Sequence, residues 1–230
     1  MTLTAVRHGQ ASYGSDDYDR LSEAGWQQSR RLGEWLVSHE HRFAHVICGG
    51  MRRHRETLEA ITEAFAKREL DLPTPVFDTD LNEFDHRAVI SAYLAENPSA
   101  SPAAPAGNQR PAQAMVMRML QGALSRWASG AYEAQLTEGW SAFGARVERG
   151  GSRLLERCAE GNVLLISSGG TISRLAQRAL DAPDLRAVEL NLSLRNSALC
   201  EFHAFDNVLR MGSWNALPHL SERRDMWTYF

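Results

Sequence analysis

Arg7-His8-Gly9 lies directly behind the apolar run Leu3-Thr4-Ala5-Val6. It places a histidine beside an arginine where a first strand should end, the position at which open parallel sheets bind ligands. A neutral imidazole there can attack phosphorus, while the guanidinium offers phosphate oxygens a rigid fork of donors. Gly9 lets the backbone approach a substrate closely. Gln10 and Ser12 follow at a distance from which they could bond phosphate oxygens. Arg52, Arg53, His54 and Arg55 follow a second apolar run, His45-Val46-Ile47-Cys48, at a helix start. Cations there oppose the helix dipole unless an anion is bound nearby. Most of that charged run reads as a solvated helix face. Leu81-Asn82-Glu83-Phe84-Asp85 offers carboxylates, and Ser167-Ser168-Gly169-Gly170 forms a turn able to aim N–H groups at an anion.

The elements that must hold these groups follow from hydrophobic spacing. Strand-like runs alternate with helical patterns, which predicts βαβ units and a parallel sheet. Leu21, Gly25, Gln28, Leu32, Trp35 and Leu36 share one face of a first helix, and Leu58, Ile61 and Phe65 recur at helical spacing in a second. Val163-Leu164-Leu165-Ile166 is continuously apolar, as a strand covered on both faces should be. Its following helix carries Ile172, Leu175, Ala176 and Leu180. Near the end, Ala198–Phe202 and Val208–Met211 flank Asp206-Asn207, a dipeptide suited to a tight hairpin. Residues 98–113 are rich in Pro, Ala, Ser and Gly and predict a loop, with helical patterns on either side. Residues of approximately 82–140 therefore read as a helical insertion within one domain spanning 1–230.

Composition narrows the class. A chain of 230 residues can bury a sizeable core, and its net charge of −3 gives no reason to expect nucleic acid or membrane as partner. No apolar run approaches membrane-spanning length and the N-terminus lacks a signal architecture, so a cytoplasmic protein is expected. The three cysteines are far apart, without metal-ligand spacing, which predicts neither a disulfide framework nor a metal site.

Taken together, these segments resemble the histidine phosphatase superfamily, the phosphoglycerate-mutase-like enzymes. VRHGQ resembles the family's nucleophile motif and LSEAGWQQSRRLGEWL the helix after it. VICGGMRRHRETLEAI is similar to the second arginine motif, which usually carries Ser-Ser-Pro where this chain has Cys48-Gly49-Gly50. LNEFD and WNALPHL resemble the acid/base segment and the terminal Asn-x-x-x-His-Leu segment. The resemblance implies a three-layer α/β/α sandwich with a mainly parallel sheet. It implies a phosphatase acting on a phosphomonoester through a phosphohistidine on His8, with no cofactor or metal. Arg7 and Arg53 would bind phosphate with Ser168, Gly169 and Gln10, Thr57 would be the helix threonine, and Glu83, preferred over Asp85, would be the acid/base. His219 would be structural.

Two positions depart from that pattern. The family's closing motif is Ser-His-Gly-Gly, in which a second histidine contacts the transferring phosphoryl group; here that residue is Ser168. Loss of a preorganised transition-state donor typically costs about 10²–10³ in rate, so reduced activity is expected. His86 follows Glu83 by three residues and is expected to reach into the pocket as a compensating imidazole. Mutases of the family usually continue after the glutamate with Arg-His-Tyr-Gly, whereas this chain reads Phe84-Asp85-His86-Arg87, which favours water as acceptor. The alternatives are a weakly active or non-catalytic module that binds a phospho-ligand or protein, and a phosphoglycerate-type mutase. The partner is a small-molecule phosphate ester or another phosphorylated substrate. The sequence leaves substrate identity and oligomeric state open.

Overall fold

The computed structural model describes residues 1–12, 19–102 and 113–229. Most of the 98–113 loop and much of the Ser12–Arg20 loop fall outside the described residues. The sheet is built from β1 (Thr2–Arg7), β2 (His45–Cys48), β3 (Val76–Phe77), β4 (Val163–Ser167), β5 (Leu199–Phe205) and β6 (Val208–Ala216), in the order β3-β2-β4-β1-β5-β6. The pairs β1/β4, β2/β4 and β2/β3 are parallel, while β1/β5 and β5/β6 are antiparallel. The sheet is thus mixed and mostly parallel. Asp206 and Asn207 both take positive φ (51° and 58°), the backbone of a primed hairpin turn between β5 and β6.

Alternation along the central strands divides the core into two layers, because successive side chains point to opposite faces. Val6, Val46, Cys48, Leu164 and Ile166 face α1 (Glu23–Ser38) and α2 (Arg52–Ala66), meeting Leu32, Leu36, Leu58, Ile61 and Phe65. Leu3, Ala5, Ile47, Val163 and Leu165 face the other way, onto α5 (Trp140–Glu160) and α6 (Gly169–Ala179). The four apolar residues of β4 are buried, as their unbroken run predicts, and so is Ser167 at its end. Each such aliphatic side chain contributes roughly 1.5–3 kcal/mol on burial.

The segment read as an insertion contains α3 (His86–Glu96) and α4 (Gln113–Ala128), and α7 (Asp184–Ser193) completes the helices. Trp127 of α4 is fully buried against Phe84, with ring centroids 4.4 Å apart, and against Trp140 at 5.0 Å. These rings share one apolar cluster with Leu3 and Val163 of the sheet. Packing therefore anchors Phe84, the neighbour of Glu83, to α4 and α5. Among the described residues no helix is long and apolar enough to cross a membrane, and no group of three or more His, Cys, Asp or Glu side chains could hold a metal ion.

Candidate active site

The parallel strands β1, β2 and β4 end together: Arg7 lies opposite Ser167, and Cys48 opposite Ile166. His8 leaves β1 at this edge and is buried, its backbone held by Ser167 O (2.9 Å) and by the N–H of Ser197 (3.1 Å). Its Nδ1 lies 2.7 Å from Gly9 O. A carbonyl can only accept, so Nδ1 carries the proton and Nε2 keeps its lone pair. That lone pair accepts from Arg53 Nε at 3.2 Å. Burial, then the charges of Arg53 and Arg7, hold the His8 pKa well below the usual histidine value. The ring is a neutral imidazole at neutral pH. Gly9 also has a packing task. A side chain there would strike the Gly25 carbonyl and Ser29 Oγ of α1, so the glycine seats the nucleophile loop on the helix.

Arg53 enters from the first turn of α2, nearly fully buried. Besides His8, it donates to Ser168 Oγ (3.3 Å) and to Asp19 Oδ1 (2.6 Å). Asp19 Oδ2 also accepts the Arg52 N–H (2.9 Å), so one carboxylate bridges this arginine and the helix N-terminus. An anion does sit at that charged helix start, and it is supplied by the chain itself. Thr57 Oγ1 accepts from the Gly9 N–H (3.0 Å) and donates to Arg53 O (2.8 Å), tying α2 to the nucleophile loop. The expectation of a mostly solvated charged run holds for Arg52 and Arg55, which are exposed, but not for His54, which is wholly buried.

Glu83 is positioned by β4 and α6. Ser167 Oγ donates to Leu81 O (2.7 Å), Thr171 Oγ1 donates to Asn82 O (2.7 Å), and Asn82 Oδ1 accepts the Gly50 N–H (2.6 Å). Arg146, paired with Glu138, clamps the carbonyls of Asp80 and Asn82 at 2.9 Å each. The Glu83 carboxylate accepts the N–H groups of Gly170 (3.1 Å) and Phe84 (3.3 Å). Though the residue as a whole is half-buried, its carboxyl end is desolvated, and this raises its pKa against the pull of Gly170, Arg53, Arg7 and Phe84. Asp85 is exposed and accepts the Ala88 N–H (3.0 Å) as the cap of α3, a structural task.

The remaining expected residues fall around this centre. Arg7 donates to the carbonyls of Leu194 and Tyr229 (2.8 Å for the latter), so its fork is anchored at its far end, while its charge acts on both His8 and Glu83. Ser168 precedes α6 and Gly169 opens it, with the helix N-terminus directed at the strand ends. The Gly170 N–H of that turn goes to Glu83. Gln10 Oε1 accepts from Ser22 Oγ (2.9 Å), the residue that caps α1. His86 heads α3, half-buried; burial and then the Arg53 charge lower its pKa to about 4. His219 bonds Ser197 Oγ (2.9 Å) behind the nucleophile loop, consistent with a supporting part.

Sequence reasoning missed three residues. Gln28 binds the Gln10 N–H (2.8 Å) and reaches Met226 O (2.7 Å), fastening the nucleophile loop to the C-terminal segment. Asp19 carries no motif. His54 does carry a signal: it precedes Leu58, Ile61 and Phe65 by helical steps, so extending their buried stripe by one turn lands on it.

The chain belongs to the histidine phosphatase superfamily (branch 1), whose family model matches residues 3–217. Among solved structures it is similar to a phosphoglycerate mutase from Bacillus anthracis, with TM-score 0.67 and 17% identity over 96% of each chain. An α-ribazole phosphatase from Shigella flexneri gives TM-score 0.61 and 22% identity, covering 94% of this chain and 96% of that one. A phosphoserine phosphatase mutant from Entamoeba histolytica in complex with phosphoserine gives 0.60 and 14%, covering 95% and 98%. At these identities the likeness establishes the fold alone. No curated protein sequence matches the chain.

Proposed function

We propose that the protein is a phosphatase that hydrolyses a phosphomonoester through a phosphohistidine on His8. The observation that carries this reading is the His8 ring itself: Nδ1–H is committed to Gly9 O, and the Nε2 lone pair faces the Arg53 guanidinium. When an ester binds, the N–H groups of Arg53 turn to its phosphate oxygens and the lone pair becomes free to attack. The Nε2–P bond forms as the ester P–O bond breaks, and the Glu83 carboxyl gives its proton to the departing alkoxide. Water then attacks phosphorus, returning a proton to Glu83 as the N–P bond breaks and the electron pair returns to His8. Burial suits both groups to these tasks, since it keeps His8 neutral and keeps Glu83 protonated to higher pH than an exposed carboxylate. Arginines and N–H groups supply the positive field, so the reading calls for no metal.

Water is favoured over a phosphoglycerate acceptor because Phe84 is turned into the aromatic cluster with Trp127 and Asp85 caps α3. Neither side chain is placed to hold a second substrate. The other reading, a phosphate-binding protein without turnover, is favoured by Ser168 and by the Asp19 carboxylate on Arg53.

A panel of phosphomonoesters tests the proposal, together with trapping of acid-labile, base-stable phosphoprotein. Turnover and trapping that disappear in His8→Ala support the phosphatase. Ester binding without turnover across the panel would replace it with the binding reading.

A further inference from the structure

His54 is a wholly buried imidazole beside the candidate nucleophile, and the phosphatase reading gives it no task. Its ring centroid lies 5.7 Å from that of His8, and its Nε2 lies 2.6 Å from Ser168 Oγ. Ser168 is the position at which the resembling family carries its second histidine. Gly49 makes room for the ring: a β-carbon there would meet His54 Nδ1 and come within 2.7 Å of Cε1. Gly49, His54 and Ser168 are thus parts of one arrangement, although the sequence presents them as unrelated departures.

We propose that His54 is the second imidazole of this site, a positioning residue that acts through Ser168. The inference rests on the phosphatase reading of the same pocket. A serine hydroxyl has one proton to donate and two lone pairs. Arg53 Nη2 can only donate, so it uses one lone pair of Ser168 Oγ. Burial keeps the His54 ring neutral, so only one of its nitrogens carries a proton. In the tautomer with that proton on Nε2, Nε2–H donates to the second lone pair, and the hydroxyl proton turns away from both partners, toward the transferring phosphoryl oxygen. The chain His54→Ser168→phosphoryl then supplies the donor that an imidazole at position 168 would supply directly. Its successive hydrogen bonds polarise one another in a dry site. An anion stabilises this direction of the chain, because it needs the hydroxyl as a donor.

The test uses p-nitrophenyl phosphate turnover and, independently of turnover, orthovanadate affinity by calorimetry. Orthovanadate adopts the five-coordinate geometry of a phosphoryl group in transfer. Ser168→Ala and His54→Ala should each lower kcat about 10–100-fold with KM changed less than about threefold. Both should weaken orthovanadate by about tenfold or more. The double variant should be no worse than either single one, since the two residues form one unit. Ser168→His alone should be impaired, because the 2.6 Å contact leaves no room for a second ring. Combined with His54→Ala, which vacates that space, the same substitution should recover activity above His54→Ala.

Unchanged kcat and orthovanadate affinity in folded His54→Ala would overturn the proposal. So would additive losses in the double variant, or a loss that appears in His86→Ala instead. A wild-type protein without turnover would remove the phosphatase reading. The orthovanadate cycle would still decide whether His54 and Ser168 bind a phosphoryl mimic as a unit.

Discussion

Gly170→Ala sets two physical effects against each other. Gly170 is the second residue of α6, where alanine would ordinarily gain roughly 0.5–1 kcal/mol over glycine. Here, however, the new β-carbon would meet Glu83 Oε1 and lie 2.6 Å from Cε1 and 2.8 Å from Cδ1 of the Phe84 ring. The flexible Glu83 carboxylate can swing aside, but Phe84 is wedged against Trp127 and Phe143, so relieving its ring also requires the start of α6 to shift. These movements break the 3.1 Å bond from the Gly170 N–H, a bond to a charged acceptor that is worth about 1.5–3 kcal/mol. Displacing an acid by about 1 Å typically costs about 10² in rate. The helix gain is therefore outweighed. The melting temperature should be lower, and kcat on an alkyl phosphate should fall about 100-fold. Steady-state kinetics and thermal unfolding of the same preparation measure both. A variant that is more stable and keeps its kcat would refute the placement of Glu83 as the acid.

Three further outcomes follow from the same geometry. The first step needs His8 neutral and Glu83 protonated. With the His8 pKa held well below the usual value and that of Glu83 raised, kcat/KM should climb from acid pH and fall again above the ordinary carboxylate range. Glu83→Gln should remove the falling limb and cost about 10²–10⁴ on an alkyl phosphate, but far less on p-nitrophenyl phosphate, whose leaving group needs little protonation. Asp19→Asn should tighten inorganic phosphate by up to about fivefold, since the half-exposed carboxylate competes for Arg53 and such pairs are worth about 0.2–1 kcal/mol. Unchanged or weaker phosphate inhibition would show that Asp19 positions Arg53 instead of competing for it.

Local chemistry made much of this protein legible in its sequence. The apolar run of β4, the helical stripes of α1 and α2 and the Asp206-Asn207 turn each specify their own element, because periodicity and turn backbone are short-range properties. Arg7-His8-Gly9 was likewise legible as a group at the end of a first strand. Glu83 and Asp85 look alike in sequence, and only the structure separates them, by the burial of one carboxyl and the capping bond of the other. What the sequence did not disclose depends on contacts between distant segments. His54 and Ser168 are 114 residues apart, Asp19 and Arg53 34, and Gln28 and Met226 198. Only the parallel pairing of β4 between β1 and β2 brings the start of α6 against the first turn of α2. That juxtaposition turned a charged run into one buried arginine and one buried imidazole, and gave Gly49 a ring to accommodate. The sequence by itself determined which elements form and which side chains stand at the ends of the parallel strands. Tertiary structure decided which side chains share its interior, because burial and proximity arise from packing across the sheet and have no local signature.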